Sequence, residues 1–334
     1  MPTKKDTSYL DMTEVMINRS NHINSLFRQI AVSQVSNPEL FSILNEVDGY
    51  WKEYLRPSLT SFCCEAVGGR AELAIKAGLM FTMVASGLSI HDDILDESLK
   101  KRSRQTILGN YGRDKALLVG DLLLLKAWTL LTDITSSISD PQKVVNIMNH
   151  YSVTLCEAQF IGITFKQNFR IKLEDYENYL FKLNADLIAC SEVGAIIGNG
   201  SEPEIRALGE FGKILGFILG LKDDLKDTCD RSSLFHKLKY ELLPYPVLYS
   251  VKYSKELEQM IKTVIKQPYM TSSEFKIISR LCSKVGGIKH VQNTAQKKAK
   301  DANEKLKIIR PGKAKNVLES ILYQMLNQIE TPWP

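Results

Sequence analysis

Six aspartates fall into two triplets of identical spacing, Asp92-Asp93-Ile94-Leu95-Asp96 and Asp223-Asp224-Leu225-Lys226-Asp227. On a helix the first and last members of each triplet project from one face, one turn apart. Like charges at that spacing oppose the helix unless a cation compensates them. Each triplet also follows a strongly apolar stretch, Leu79 to Ile90 and Ile214 to Leu221, which puts it at the mouth of a core. Mg²⁺ suits such a place, because it takes oxygen ligands, keeps some of its water and bridges carboxylates to substrate phosphates. One triplet alone would pass for a solvated helix end. Two in matching settings point to a metal-dependent site for an anionic substrate. No Ser/His/Asp or Cys/His arrangement competes with that reading among only five histidines.

The elements that must carry these residues are helical. Leu73, Lys76, Ala77, Met80, Val84, Gly87 and Leu88 recur at spacings of three and four, as do Leu117, Leu118, Asp121, Leu124, Leu125 and Trp128. Breaks at Gly68-Gly69, Gly109-Asn110, Asp140-Pro141, Gly198-Asn199-Gly200, Pro244, Pro268, Gly286-Gly287 and Pro311-Gly312 predict ten to twelve helices. Ser201, ahead of Pro203 and Glu204, is a predicted N-cap. No linker or repeat divides the chain, so residues 1–334 are read as one all-α domain, a helical bundle around an apolar cavity.

With 44% hydrophobic and 24% charged residues, the composition is that of a globular protein with a large core. The net charge of +5 comes from interleaved acids and bases, without the aromatic-basic clusters of a nucleic-acid binder. The six cysteines form no C-x-x-C and have no histidine at ligand spacing, which suggests a reducing compartment. The N-terminus has no apolar signal region, and the longest apolar run, Ala77 to Ile90, is too short to span a bilayer. A cytoplasmic protein is expected. At most, the lysine-rich segment Lys297 to Lys315 would make a peripheral membrane contact.

From about residue 40 to 325 the chain resembles the trans-isoprenyl diphosphate synthases. Leu55-Arg56-Pro57 resembles the end of that family's Gly-Lys-x-x-Arg-Pro segment, and Ser89 to Asp96 its first aspartate-rich motif, followed by the basic pair Lys101-Arg102. Gly120-Asp121, Cys156-Glu157-Ala158-Gln159, Lys182 and Leu221 to Asp227 continue the likeness. Ser191 to Ala195 is expected to continue the helix of Lys182. The resemblance implies an isoprenoid-synthase fold, a homodimer, and three Mg²⁺ ions held by Asp92, Asp93, Asp96, Asp223, Asp224 and Asp227. It also implies that Arg56, Lys101, Arg102, Gln159, Lys182 and Lys237 bind substrate diphosphate. An allylic prenyl diphosphate would ionise in a dry pocket, and isopentenyl diphosphate would capture the cation.

Departures from the family pattern concentrate on the isopentenyl diphosphate half. Its lysine falls on Glu53, its histidine on Ala85, the Phe-Gln pair before the second motif on Leu219-Gly220, and the threonine after Lys182 on Leu183. The Gly-Lys-x-x-Gly-x-Asp segment is degraded to Ser232 to Lys239. Chain elongation is the favoured reading. A class I terpene synthase, which ionises without a second diphosphate, and a non-catalytic subunit of a heteromeric synthase are the alternatives. The product tail is expected to run along Leu88, Gly87, Val84 and Phe81; Gly87 either leaves space, suggesting a product of about C20 or longer, or permits close helix packing.

Overall fold

The computed structural model describes residues 12–50, 54–101 and 104–330, and Lys52, Glu53 and Arg102 lie outside them. The first half runs α1 Met12–Val32, α2 Pro38–Tyr50, α3 Leu55–Ala66, a 3₁₀ turn Ala71–Ala74, α4 Ile75–Leu95, strands β1 Lys100–Lys101 and β2 Arg104–Gln105, α5 Ile107–Tyr111, α6 Arg113–Thr135 and α7 Pro141–Phe165. The second half runs α8 Leu173–Leu183, α9 Asp186–Ile197, α10 Glu202–Thr228, α11 Arg231–Tyr240, α12 Tyr245–Val251, α13 Lys255–Val264, α14 Ser272–Lys284, α15 Gly287–Leu306 and α16 Lys313–Glu330.

The bundle is all-helical as expected, but the described residues hold sixteen α-helices rather than ten to twelve. Some extra breaks come from packing, which spacing does not reveal. Lys182 and Ser191 do not share a helix, because α8 ends at Leu183 and α9 begins at Asp186. At the break, Asn184 Nδ2 donates to Leu180 O at 3.0 Å, and Gly216 of α10 lies so close that a Cβ there would be 2.8 Å from Asn184 Cβ. Between α4 and α5 the only strands among the described residues pair antiparallel, Lys100 with Gln105 and Lys101 with Arg104.

Helices α4, α9 and α10 form the interior, with Leu79, Met83, Leu187, Val193, Phe217 and Leu221 fully or almost fully buried. A helix enclosed on several sides must be apolar around most of its circumference. By mean hydropathy the segment Ala71–Leu95 is long and apolar enough to cross a bilayer, yet 67% of that window is buried inside the bundle. The outer helices are amphipathic and capped. The predicted cap at Ser201 is present, its backbone N–H donating to Glu204 Oε2 at 2.8 Å, and Thr271 and Glu274 repeat the arrangement before α14.

Helices α4 and α6 cross closely. A Cβ on Gly87 would lie 2.9 Å from Gly120 O and 3.1 Å from Leu124 Cγ, so the two backbones touch there. Gly87 therefore leaves no open space for a product tail; it lets two helices meet. Replacing Gly87 with Val should force α4 from α6 and cost about 1–3 kcal/mol. Urea denaturation would show this as a lower midpoint, and an unchanged midpoint would mean that the crossing can open freely.

Candidate active site

Both aspartate triplets occupy the C-terminal ends of helices. Asp92 and Asp93 lie in the last turn of α4, with Asp96 as its C-cap, and Asp223, Asp224 and Asp227 lie in the last turns of α10. The negative end of the helix dipole already disfavours anions at those places. Carboxylates stacked there need cations.

The structure divides each triplet. The middle members are turned inward, Asp93 at 6% and Asp224 at 5% exposure. Asp224 Oδ2 accepts from Tyr176 Oη at 2.8 Å and from the Tyr245 backbone N–H at 3.1 Å. Asp93 Oδ1 is paired with Lys101 Nζ at 2.5 Å, a lysine delivered by the β-ribbon. The outer members stay nearer the opening. Asp92 Oδ1 accepts from Gln159 Nε2 of α7 at 3.4 Å, and Asp223 is the most exposed of the second triplet, with Lys222 Nζ 3.9 Å away. Among the described residues no three His, Cys, Asp or Glu side chains are arranged to hold a metal unaided. That suits an ion bound by one or two carboxylates and completed by water and substrate phosphate.

Three lysines face the carboxylates. Besides Lys101, Lys166 at the end of α7 donates to Leu95 O at 2.9 Å and lies 3.3 Å from Asp96 Oδ1. Lys237 of α11 lies 3.8 Å from Asp227 Oδ2 and 2.7 Å from Glu241 Oε2. Burial lowers the Lys237 pKa, but Glu241, Asp224 and Asp227 outweigh it and hold the ammonium well above its ordinary value. The two triplets share neighbours: Glu241 acts electrostatically on both Asp96 and Asp227, and Lys237 does so too. They therefore face one another across α11.

Burial, then Glu241 and Asp92, push the Asp96 carboxyl up to about 7. Asp224 is raised by burial to about 6, against the pull of Lys237 and two hydrogen bonds. Burial also raises Asp93 and Asp227. The three lysines do not offset the cost of burying these acids. The donor set is all oxygen, clustered and short of cations, and so fits Mg²⁺.

Two predicted substrate residues do not join this cluster. Arg56 Nε donates to Asp186, a 5%-exposed carboxylate at the start of α9. Lys182 donates to Glu157 on an open groove between α7 and α8 lined by Phe160 and Ile161. Gly220 closes α10 onto α8, a Cβ there meeting Leu180 Cδ2 at 3.0 Å. Sequence reasoning missed Lys166, Tyr176, Asp186 and Glu241. Only Glu241 had a local signal, four residues after Lys237 on one helical face. His236 has Ser98 Oγ at 3.0 Å and Glu241 Oε1 at 3.5 Å from Nε2.

Below the carboxylates, a cavity of about 230 Å³ lies between α4, α6 and α7, lined by Met80, Val84, Leu88, Leu124, Trp128, Tyr151 and Leu155 among others. Val84 and Leu88 line it as expected. Phe81 is buried in the core and Gly87 faces α6, so neither does. Ser152 and Cys156 border both this cavity and the groove of Lys182, which makes the two spaces contiguous.

The model of the polyprenyl synthetases matches residues 52–281. The chain belongs to the polyprenyl synthetase family. Across the family it is similar to the geranylgeranyl diphosphate synthase of Methanosarcina mazei, 23% identical over 322 residues that cover 96% of this chain and 98% of that one. The fold matches a decaprenyl diphosphate synthase from Rhodobacter capsulatus with a TM-score of 0.84, 22% identity, and coverage of 96% and 99% of the two chains. It also matches a polyprenyl synthase from Caulobacter crescentus, solved with calcium and isoprenyl diphosphate, at a TM-score of 0.83, 19% identity, and coverage of 97% and 99%. Polyprenyl synthetases are prenyltransferases of isoprenoid biosynthesis that work with divalent metal ions.

The raised carboxylates predict a pH dependence. A carboxyl whose folded pKa exceeds its unfolded value of 3.8 stabilises the fold below that value. The contribution is lost as pH rises through about 6 for Asp224 and about 7 for Asp96. In EDTA the protein should therefore melt at a lower temperature at pH 8 than at about pH 5.5, and Mg²⁺ should raise the melting temperature more at pH 8. Scanning calorimetry would check both, and equal metal effects at the two pH values would contradict the assignment.

Proposed function

We propose that this chain ionises an allylic prenyl diphosphate with Mg²⁺ and joins the prenyl group to isopentenyl diphosphate, giving a longer trans-polyprenyl diphosphate. One observation carries the reading: two carboxylate triplets at the ends of α4 and α10 face each other, with Lys237 between them, above an apolar cavity. Up to three Mg²⁺ ions held by Asp92, Asp96, Asp223 and Asp227 would neutralise charge on the departing diphosphate. Asp93 and Asp224 serve beneath them, Asp93 by aiming Lys101 and Asp224 by fixing the end of α10 on Tyr176 and Tyr245. Lys101, Lys166 and Lys237 supply charge-assisted donors to phosphate oxygens, and Gln159 orients Asp92. Met80, Val84, Leu88 and Trp128 would hold the hydrocarbon away from water and set its length. The expectation of about C20 or longer loses its Gly87 argument and passes to these side chains.

One observation favours a second reading. Among the described residues, Arg56, from the segment whose family lysine falls on Glu53, is already neutralised by Asp186 and so offers less charge to a second diphosphate. A class I terpene synthase, which needs no second diphosphate, would tolerate that. The two readings separate when the protein is incubated with Mg²⁺ and farnesyl or geranylgeranyl diphosphate, with and without labelled isopentenyl diphosphate. Label in a longer diphosphate is the expected result. Hydrocarbon or alcohol formed without isopentenyl diphosphate would replace the primary reading with the second. No diphosphate release at all would indicate a non-catalytic subunit. Asp92→Asn and Asp227→Asn should each lower diphosphate release by about 100-fold or more.

A homodimer in the cytoplasm completes the proposal. Leu118 and Leu125 of α6 are each 64% exposed, and Phe160 of α7 is 75% exposed, an apolar display suited to a second copy. Leu118→Glu combined with Leu125→Glu should shift the sedimenting species to the monomer; an unchanged dimer would move the interface elsewhere. None of the six cysteines forms a disulfide, in keeping with a reducing compartment.

A further inference from the structure

The candidate site contains one carboxylate that neither triplet supplies. Glu241 terminates α11, its backbone N–H bonded to Lys237 O at 3.0 Å and its carbonyl accepting the Gln167 N–H at 3.3 Å. The side chain is 13% exposed. Its Oε2 lies 2.7 Å from Lys237 Nζ, and its Oε1 lies 3.5 Å from His236 Nε2, which is also 3.0 Å from Ser98 Oγ. Asp93, Asp96 and Lys101 are within its electrostatic reach on one side and Asp227 on the other. Of the two carboxylates paired with Lys237, Glu241 is the nearer, 2.7 Å against 3.8 Å for Asp227. A diphosphate arriving between the triplets would find this lysine capped by an anion.

We propose that Glu241 is a positioning residue that stands in for substrate phosphate on Lys237 in the metal-free site, and so makes diphosphate binding conditional on metal. The inference rests on the reading of this place as a diphosphate site. A buried ammonium without a partner would be driven toward its neutral form. Glu241 keeps Lys237 charged and aimed between the triplets. The same contact excludes a free diphosphate, because Glu241 holds the position a phosphate oxygen would take and adds a seventh carboxyl group to the six of the triplets. Cations on the triplets remove that repulsion, and a multiply charged diphosphate then outcompetes a single carboxylate for the lysine. The displaced Glu241 carboxylate has His236 beside it as an alternative partner. A purely structural role, closing the end of α11, requires the opposite sign: losing Glu241 would then loosen Lys237 and weaken anion binding.

Isothermal titration of the full-length protein with inorganic diphosphate, in EDTA and in Mg²⁺, separates these. In EDTA, Glu241→Gln should bind diphosphate about tenfold more tightly than wild type, the scale of one charge-assisted hydrogen bond. In Mg²⁺ the two proteins should differ by less than about threefold. Glu241→Asp, whose shorter arm loosens the pair, should fall between them in EDTA. It carries the same test if circular dichroism shows the Gln variant unfolded. A folded variant that binds diphosphate no more tightly than wild type in EDTA overturns the proposal. Wild type that fails to bind diphosphate even with Mg²⁺ overturns the underlying site reading, and is seen before any variant is made.

Discussion

Two helices, α4 and α10, end in stacked carboxylates at the negative poles of their dipoles. Neither end could persist in a protein interior without positive charge brought to it from elsewhere in the chain. Much of the surrounding architecture delivers that charge. The β-ribbon carries Lys101 to Asp93, the end of α7 carries Lys166 to Asp96 and the last open carbonyls of α4, and α11 carries Lys237 between the triplets. Even so, Asp96 and Asp224 keep raised pKa values, so the protein's own cations do not balance the cluster. The imbalance links fold to chemistry: an acid-rich opening that its own lysines leave under-neutralised favours a divalent cation and, behind it, an anionic substrate.

The same constraint explains why the two outer and one middle aspartate of each triplet differ. One step along a helix turns a side chain by about 100°. The middle residue must therefore point away from the face shared by its neighbours. For Asp224 that direction is the aromatic interior, where the Tyr176 hydroxyl and the Tyr245 amide receive it. For Asp93 it is the ribbon and Lys101. Identical residues in an identical motif thus divide into those that face the opening and those that anchor the helix end.

The fold class and the placement of both triplets were legible in the sequence, because helical period and clustered charge are local properties. The role of Gly87 was not legible for a physical reason. A glycine on the helix before the first motif can mean empty space or a close neighbour, and only the position of Gly120 on α6, 33 residues away, decides between them. The partners of Arg56 and Lys182 were hidden in the same way. Asp186 meets Arg56 from the start of α9, just past the break at Asn184 against which Gly216 packs. Glu241 could have been found as the i,i+4 partner of Lys237, but nothing local showed that both sit between the triplets.

The backbone contact of Gly87 with Gly120 has a consequence for how such a protein can diversify. It fixes the separation of α4 and α6 at one level, just beneath the first triplet, independently of any side chain that borders the cavity. The walls below are then a gauge with a clamped head. Exchanging Val84, Leu88 or Trp128 can then lengthen or shorten the space without parting α4 from α6 at that level. For the proposed activity, the wall that would set chain length and the helix end that would ionise the substrate would then be separately heritable traits, free to change at different rates along a lineage.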